Sequence, residues 1–234
     1  MAAASGGNRS PQAGGGAPTR MLTLPQLHAE ILGCRRCFEA GLLERASPVL
    51  PAPARAQMVL VGQAPGRVEE GVGRPFSGRA GRQLFRWLEE AGLGDEESAR
   101  RSVYLTSLTK CFPGPALSGS GDRRPSPAEV ALCGDHLAHQ LTLLQPWLIL
   151  AVGQMALERF LGQLAMHLAV GRVFGPGGAE LGPEQALASR DRPLVLPLPH
   201  PSGASRWLNA LEHRALLARA LAVLAHLVGG GPAT

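Results

Sequence analysis

Four cysteines are the side chains of this chain whose type and spacing most clearly suggest chemistry. They are Cys34, Cys37, Cys111 and Cys133, and the first two form a C-x-x-C pair. In a reduced compartment, four thiols with such a pair indicate a metal or cluster site before a disulfide framework. The spacing admits zinc or a [4Fe-4S] cluster, because both accept four thiolates, and it also admits four unrelated core cysteines.

A histidine and a phenylalanine lie in segments that are rich in proline or glycine. His200 lies between Pro199 and Pro201. A histidine held in this way can donate a hydrogen bond to negative charge on a ligand, although it could also simply cap a turn. Phe76 lies in a glycine-rich loop, where its ring either stacks on a planar ligand or packs beneath the loop.

The elements that must position these residues are indicated by short apolar runs separated by helical periodicity. Buried strands are predicted at 58–61, 103–106, 148–152 and 194–198, and helices at 22–32, 79–91, 127–144, 154–160 and 209–228. Strands joined by helical crossovers form parallel sheets that are covered on both faces. The predicted fold class is therefore α/β, a three-layer α/β/α sandwich with a central four-stranded parallel sheet.

A polar segment follows each predicted strand. These segments are GQAPG at 62–66, residues 107–111, residues 153–154 and residues 200–202. Ligands of such sheets bind beyond the carboxyl ends of the strands, so the four segments should meet at one edge.

Length and composition indicate one globular domain. The chain has 234 residues, of which 45% are hydrophobic. We predict a disordered leader at 1–20, the domain at 21–228 and a flexible tail at 229–234. No apolar run approaches the roughly 18 residues of a membrane span, and we expect a cytoplasmic monomer without membrane contact. The formal charge of +5 favours a polyanionic partner.

Several motifs, in their order along the chain, resemble the uracil-DNA glycosylase superfamily, specifically its iron-sulfur families 4 and 5. The motifs are GQAPG, GRPFSGRAG, LTSLTKC, LPHPSGASRWLN and the four cysteines, and they cover roughly residues 22–227. The resemblance implies a three-layer fold, a mainly structural [4Fe-4S] cluster on the cysteines, and DNA containing deaminated bases as the partner. It implies hydrolysis of the N-glycosidic bond of uracil flipped from DNA, with hypoxanthine and xanthine as further candidate bases, and an association with the nucleoid.

The resemblance also implies roles for individual residues. His200 would donate a hydrogen bond to the base, Phe76 would stack on it, and the main chain from Gly62 to Gly66 would line the base edge and the water site. The implied DNA contacts are Ser77 and Ser202 at phosphates, and Arg206 or Trp207 as a wedge in the space left by the flipped base.

The chain departs from the family pattern at the positions that handle water and the base edge. Ala64 replaces an aspartate that positions water in the best-known members, and Gln63 stands where family 4 usually has glutamate. Glu70, with its neighbour Glu69, is the nearest acidic candidate to orient water. Ser107 replaces an asparagine that reads uracil in many members, so we expect relaxed selectivity. These departures motivate an alternative, a catalytically silent DNA-binding or damage-sensing module with a structural cluster.

Two covalent mechanisms are disfavoured. One branch of the superfamily captures uracil-DNA through a histidine in the loop after the third cysteine, and the corresponding segment 112–127 contains no histidine. Lys110 could in principle form a Schiff base, but the family pattern gives it a structural or phosphate-binding role. The expected enzyme is therefore a monofunctional glycosylase.

Overall fold

The computed structural model describes residues 22–51, 56–117, 121–189, 191–202 and 206–230. The predicted leader at 1–20 and the last four residues of the predicted tail lie outside these ranges. The C-terminal helix ends at Gly230, two residues inside the predicted tail. Within the described ranges, no helix has both the length and the apolar character needed to cross a bilayer.

Helices and strands alternate along most of the chain. The helices are α1 (Leu24–Leu32), α2 (Arg36–Glu39), α3 (Arg67–Val72), α4 (Arg79–Glu90), α5 (Glu96–Ser102), α6 (Pro127–Leu144), α7 (Gln154–Leu161), α8 (Met166–Ala169), α9 (Pro183–Ala188) and α10 (Leu211–Gly230). The strands are β1 (Met58–Gly62), β2 (Val103–Ser107), β3 (Leu148–Val152), β4 (Val173–Phe174), β5 (Glu180–Leu181) and β6 (Leu194–Leu198). All four predicted strands and all five predicted helices are present, and their ends differ from the prediction by at most two residues.

The central sheet is larger than predicted. Its strand order is β2-β1-β3-β6-β4-β5, and the four predicted strands pair in parallel. The additional strands β4 and β5 are antiparallel and contain two residues each. The predicted sheet of four parallel strands is therefore the core of a six-stranded mixed sheet, because two-residue strands are too short to leave an alternating pattern in the sequence.

Helices cover both faces of the sheet. Leu60, Leu150 and Leu196 point to a core that includes buried residues of α4, α5, α9 and α10. The alternate positions Val59 and Ile149 point to a second core that includes α6 and α7, and α1 packs on the outside of α6. This arrangement confirms the predicted three-layer α/β/α sandwich.

The topology places a crevice at the carboxyl end of β1. The chain passes from β1 to β2 on one side and then crosses to β3 on the other side. Ligands of open parallel sheets bind at the point where the strand order reverses in this way. The polar segments that follow the parallel strands start at this edge.

Candidate active site

A cavity of about 1860 Å³, a volume that includes its open mouth, lies at this edge of the sheet. Its walls come from the segments after β1, β2 and β6, together with α3 and the loop before α4. Because this volume includes solvent at the mouth, the site is an open groove, and its lining residues define it better than its volume does. The prediction that the polar segments meet is therefore confirmed for three of the four strands.

The segment after β3 contributes from beneath the groove. Gly153 has a φ of +85°, and a Cβ at this position would lie 3.3 Å from Cδ2 of His200. The histidine ring thus rests against the main chain at the end of β3. A glycine is needed there both for the left-handed backbone and for the close approach.

His200 lies in the groove with a defined tautomer. Its Nδ1 accepts a hydrogen bond of 3.2 Å from the backbone N–H of Ser202, so the ring proton is on Nε2. Burial lowers the pKa of His200 below its ordinary value, and the charge of Arg124 adds to this effect. The ring is therefore neutral at neutral pH, with Nε2–H available as a donor.

Phe76 also lines the groove, and its backbone is held in an unusual conformation. Its φ is +53°, in the left-handed region that non-glycine residues rarely adopt. Arg100 supports this conformation by donating hydrogen bonds to the carbonyl oxygens of Pro75 at 2.8 Å and Phe76 at 3.2 Å. A Cβ on Gly62 would lie 2.9 Å from Cζ of the Phe76 ring, so Gly62 lies beneath the ring and does not itself line the groove.

The GQAPG loop is fixed from the side of β2. The carbonyl oxygens of Gly62 and Gln63 accept hydrogen bonds from the backbone N–H groups of Leu108, at 2.9 Å, and Thr109, at 3.2 Å. Gln63 and Ala64 line the groove as predicted, whereas the N–H of Gly66 is already bonded to the Glu69 carboxylate.

Ser107 lies at the floor of the groove with its hydroxyl proton already engaged. The hydroxyl donates a hydrogen bond of 2.7 Å to the carbonyl oxygen of Thr109. A serine oxygen has one proton and two lone pairs, so the side chain presents acceptor capacity to the groove. Ser107 is therefore suited to recognise an N–H group on a ligand.

The two adjacent glutamates have different environments. The Glu70 carboxylate forms an ion pair with Arg45 and does not line the groove, which argues against its predicted role in orienting water. Glu69 does line the groove, and its two oxygens accept hydrogen bonds from the N–H groups of Gly66, at 3.1 Å, and Gly78, at 2.8 Å. Glu69 thereby links the two glycine-rich loops.

Lys110 is buried beneath the groove. Only 1% of its surface is exposed, and its Nζ donates hydrogen bonds to Thr106 Oγ1 and to the carbonyl oxygen of Ser107. Thr106 continues this network through Gln140 to Tyr104. Burial lowers the pKa of Lys110 to about 8, but the amine does not line the groove. A structural role fits this position.

The remaining predicted DNA contacts lie outside or at the rim of the groove. Ser77 does not line it and donates its hydroxyl proton to the carbonyl oxygen of Arg74. Ser202 lines the rim. Arg206 is exposed, whereas the Trp207 ring is stacked on His213 with centroids 4.1 Å apart. Residues 203–205 of the predicted DNA-binding segment lie outside the described residues.

The four cysteines line a second, smaller cavity that is partly open to solvent. No three His, Cys, Asp or Glu side chains in the described ranges are close enough together to hold one metal ion. The four cysteines nevertheless line one cavity and therefore lie in the same region of the fold.

Unpaired polar atoms also face this second cavity. Thr109 Oγ1 and His136 Nε2 are buried without a hydrogen-bond partner among the residues that the structure describes, and both residues line the cavity. Burial raises the pKa of Cys37 to about 11 and that of Cys111 to about 12, and neighbouring thiols contribute to both shifts. Such thiols are stable as thiolates only when bound to a cation or cluster, because burial otherwise disfavours their charge.

One ion pair joins the two cavities. Arg123 lines the groove and Glu129 lines the cysteine cavity, and their side chains form two hydrogen bonds of 2.7 and 2.8 Å. Glu129 also completes a capping box at the start of α6 by accepting a hydrogen bond of 2.6 Å from the N–H of Ser126. Arg123 further donates to the carbonyl oxygen of Leu42, near the first cysteine pair.

Two residues of the site were not identified from the sequence. Arg100 supports the Phe76 loop from α5, and Asp122 lines the groove from the segment before α6. Both are far in sequence from the residues that they approach, and neither belongs to a recognisable motif. Sequence patterns therefore offered no signal for them.

Comparisons with known proteins agree with this arrangement. A family model described as the Uracil DNA glycosylase superfamily matches residues 50–225. The chain is 36% identical over 140 residues to a type-4 uracil-DNA glycosylase of Archaeoglobus fulgidus, which covers 59% of this chain and 63% of that protein. It is 38% identical over 104 residues to a type-4 uracil-DNA glycosylase of Thermotoga maritima, covering 44% of this chain and 48% of the relative.

A type-5 relative is also similar. Identity is 30% over 148 residues to a type-5 uracil-DNA glycosylase of Pyrobaculum aerophilum, covering 57% of this chain and 62% of the relative. The chain thus spans between about half and just under two thirds of the length of these relatives.

Proposed function

Because the chain belongs to the uracil-DNA glycosylase superfamily, we propose that it is a monofunctional DNA glycosylase that hydrolyses the N-glycosidic bond of uracil flipped out of DNA. The observation that carries the proposal is the neutral Nε2–H donor of His200 in a groove that also contains the Phe76 ring. A buried Lys110 that does not line the groove supports hydrolysis by water over Schiff-base chemistry.

His200 acts on the leaving base. When the bond from the sugar to the base breaks, its electron pair moves into the uracil ring and gives the ring negative charge. A donor already aimed at this charge stabilises the transition state more than the substrate. The Ser202 N–H holds the ring of His200 in the tautomer that supplies this donor.

Ser107 and Phe76 bind the base. Phe76 offers a ring face for stacking, which tolerates different bases. Ser107 offers an acceptor, and uracil, hypoxanthine and xanthine each carry a ring N–H beside a carbonyl group. Cytosine and adenine carry an unprotonated nitrogen at the equivalent position and would face the serine lone pairs. The serine acceptor therefore favours uracil, hypoxanthine and xanthine over cytosine and adenine, whereas thymine and guanine carry the same ring N–H and must be excluded by other contacts.

The residues around the cysteine cavity fit a [4Fe-4S] cluster. Cys34, Cys37, Cys111 and Cys133 would hold it, and the buried polar atoms of Thr109 and His136 would donate hydrogen bonds to it. The cluster would supply cross-links between α2, the segment after β2 and α6. The cysteine cavity is lined by residues other than His200 and Phe76, so a structural role is consistent with the site.

DNA containing a deaminated base is the proposed partner. Arg206 is exposed, and it follows His200 by six residues in the sequence. Trp207 is stacked on His213, which makes Arg206 the better candidate for the wedge. Ser202 at the rim is the remaining candidate for a phosphate contact. A monomer in the cytoplasm, associated with the nucleoid through DNA, is consistent with these features.

Base release and DNA binding can be separated experimentally. Purified protein is incubated with single- and double-stranded oligonucleotides that contain uracil, hypoxanthine or xanthine, and abasic sites are cleaved with alkali. We expect strand breaks with uracil, and none with the unmodified strand. Salt-dependent binding without base release from any of these substrates would instead support the silent DNA-binding module, which Ala64 in place of the usual aspartate motivates.

A further inference from the structure

Hydrolysis requires a group that orients the attacking water and takes its proton, and the first loop offers no carboxylate for this, because Ala64 is apolar and the Gln63 amide is not a base. Among the described residues, two carboxylates line the groove, those of Glu69 and Asp122. Both oxygens of Glu69 accept hydrogen bonds from backbone N–H groups, and this carboxylate therefore has a structural task. Asp122 also lines the groove, and its carboxylate is not held by two backbone N–H groups as that of Glu69 is.

Asp122 is brought to the GQAPG loop by the pairing of two segments, 114–116 and 121–123, which are together called the hairpin. Pro115 and Asp122 form an antiparallel bridge, and the N–H of Arg123 donates to the carbonyl oxygen of Gly114 at 3.0 Å. The pairing of Arg123 with Glu129 anchors the base of this hairpin to α6. The side chain of Asp122 is therefore attached to a fixed backbone.

The carboxylate of Asp122 approaches the last residue of the loop closely. A Cβ on Gly66 would lie 2.7 Å from Oδ2 of Asp122 and 2.7 Å from Oε2 of Glu69. Gly66 is two residues beyond Ala64, and the absence of a side chain on Gly66 leaves room for Asp122 to reach the loop from outside.

We propose that Asp122 is a catalytic residue that orients the attacking water and accepts its proton, in place of a carboxylate in the first loop. This inference rests on the proposed glycosylase function. Water oxygen forms a bond to C1′ of the sugar while the bond from C1′ to the base breaks. The electron pair of the broken bond leaves with the base, where His200 stabilises it, and the water proton moves to Asp122 and then to solvent.

The electrostatic surroundings of Asp122 suit a base. Burial raises the pKa of its carboxyl group, the Arg67 backbone N–H opposes the shift, and the charge of Glu69 adds to it. The Arg67 side chain also opposes the shift. The other charged or titratable residues that line the groove are Arg79, Arg123 and His200. A carboxylate with a raised pKa holds a transferred proton better than an ordinary aspartate does.

The test compares single-turnover uracil release by the full chain and by Asp122→Asn, Asp122→Glu and Asp191→Asn over a range of pH. Asp191 is an exposed aspartate just before β6, at the opposite end of the strand from the groove, and serves as the matched control. We expect Asp122→Asn to lower the rate by about 10²-fold or more with uracil-DNA affinity and melting temperature nearly unchanged, and Asp122→Glu to recover part of the rate.

The pH profile separates catalysis from packing. In the unmodified chain the rate of uracil release should rise as the pH increases through the raised pKa of Asp122. This rise should be absent from the pH profile of Asp122→Asn. Any pH dependence that remains in the variant belongs to another group, such as His200. An unchanged rate in Asp122→Asn, or a lowered rate with an unchanged pH profile, overturns the role of Asp122. The proposed glycosylase function still stands in that case if the unmodified chain releases uracil. Absence of release by the unmodified chain from every deaminated base overturns both.

Discussion

The Nε2–H donor of His200 depends on a single backbone contact, the hydrogen bond from the N–H of Ser202 to Nδ1. We expect His200→Ala to lower the rate of uracil release by about 10²–10³-fold, because the donor to the leaving base is lost. DNA affinity should change by a few-fold at most, since the side chain acts mainly in the transition state. Single-turnover kinetics and fluorescence anisotropy measure the two quantities, and equal losses in both would argue for a binding role.

The same contact predicts a pH dependence. Because burial lowers the pKa of His200, the ring stays neutral as the pH falls below its ordinary pKa of 6.5, and the rate should show no loss near that pH. Protonation at lower pH would remove the acceptor at Nδ1 and break the Ser202 hydrogen bond. An NMR titration of the imidazole carbons measures this pKa directly, and a value at or above 6.5 would contradict the assignment.

Phe76 and Gly62 form a second pair that can be tested at this scale. A methyl group on Gly62 would lie 2.9 Å from the Phe76 ring, so Gly62→Ala must displace the ring on which the base stacks. We expect about a tenfold loss of kcat/KM for uracil-DNA, in line with about 1–3 kcal/mol for stacking of one base.

Gly71→Ala is the control for this substitution. Gly71 lies in α3, and no atom of the described part of the chain is within 4 Å of its added Cβ, so alanine should leave activity unchanged and stability equal or slightly higher. An equal loss of activity in both variants would show that the Phe76 contact is not responsible.

At the scale of elements, the capping box of α6 and the hairpin before it share Glu129. Its side chain is 2% exposed and is paired with Arg123. Arg123→Met leaves this charge buried without its partner, and we expect a loss of about 2–3 kcal/mol in the free energy of unfolding, less than for a fully buried pair because Arg123 is 32% exposed.

The exposed pair of Arg172 and Glu180 provides the comparison. Both side chains are at least 40% exposed, so Arg172→Met should cost less than about 1 kcal/mol. Urea unfolding monitored by circular dichroism gives both values. Equal destabilisation by the two variants would mean that the Arg123 pair contributes no more than an ordinary surface pair.

The helices and strands also show what local patterns can and cannot predict. The five long helices and the four parallel strands were identified within two residues of their ends, because each carries a continuous apolar run or helical periodicity and α6 has a capping signal. The strands β4 and β5 were missed, since two residues carry no periodicity. Short helices such as α3 and α5 were also missed, because their apolar faces are too short to be recognised.

At the scale of the whole molecule, the cysteine cavity connects distant parts of the chain. We expect protein purified without oxygen to be brown and to contain about four iron and four sulfide per chain, measured by colorimetric assays and visible absorption. Cys111→Ala should lower both the iron content and the melting temperature, because it removes a ligand that lies far in sequence from the first pair. A colourless protein with about one zinc per chain would contradict the cluster.

Fold class, family and the residue types at the site could be predicted from the sequence alone. The apolar runs set the four parallel strands, and the order of the motifs identified the superfamily that the family model confirms. The four cysteines could be recognised as a candidate ligand set, although the choice between zinc and a cluster could not be made from their spacing. Strands and helices follow from local apolar patterns, and the family follows from the order of the motifs along the chain, so neither requires knowledge of tertiary contacts.

The tertiary structure decided which of these residues can act together. It pairs Glu70 with Arg45 outside the groove, ties Glu69 to two backbone N–H groups, and brings Asp122 to Gly66 across more than fifty residues of sequence. It also sets the tautomer of His200 and directs the Ser107 hydroxyl proton away from the groove. Each of these outcomes depends on which groups the packing brings together and on the direction of individual hydrogen bonds. Patterns in the sequence carry no information about tertiary packing or about hydrogen-bond direction.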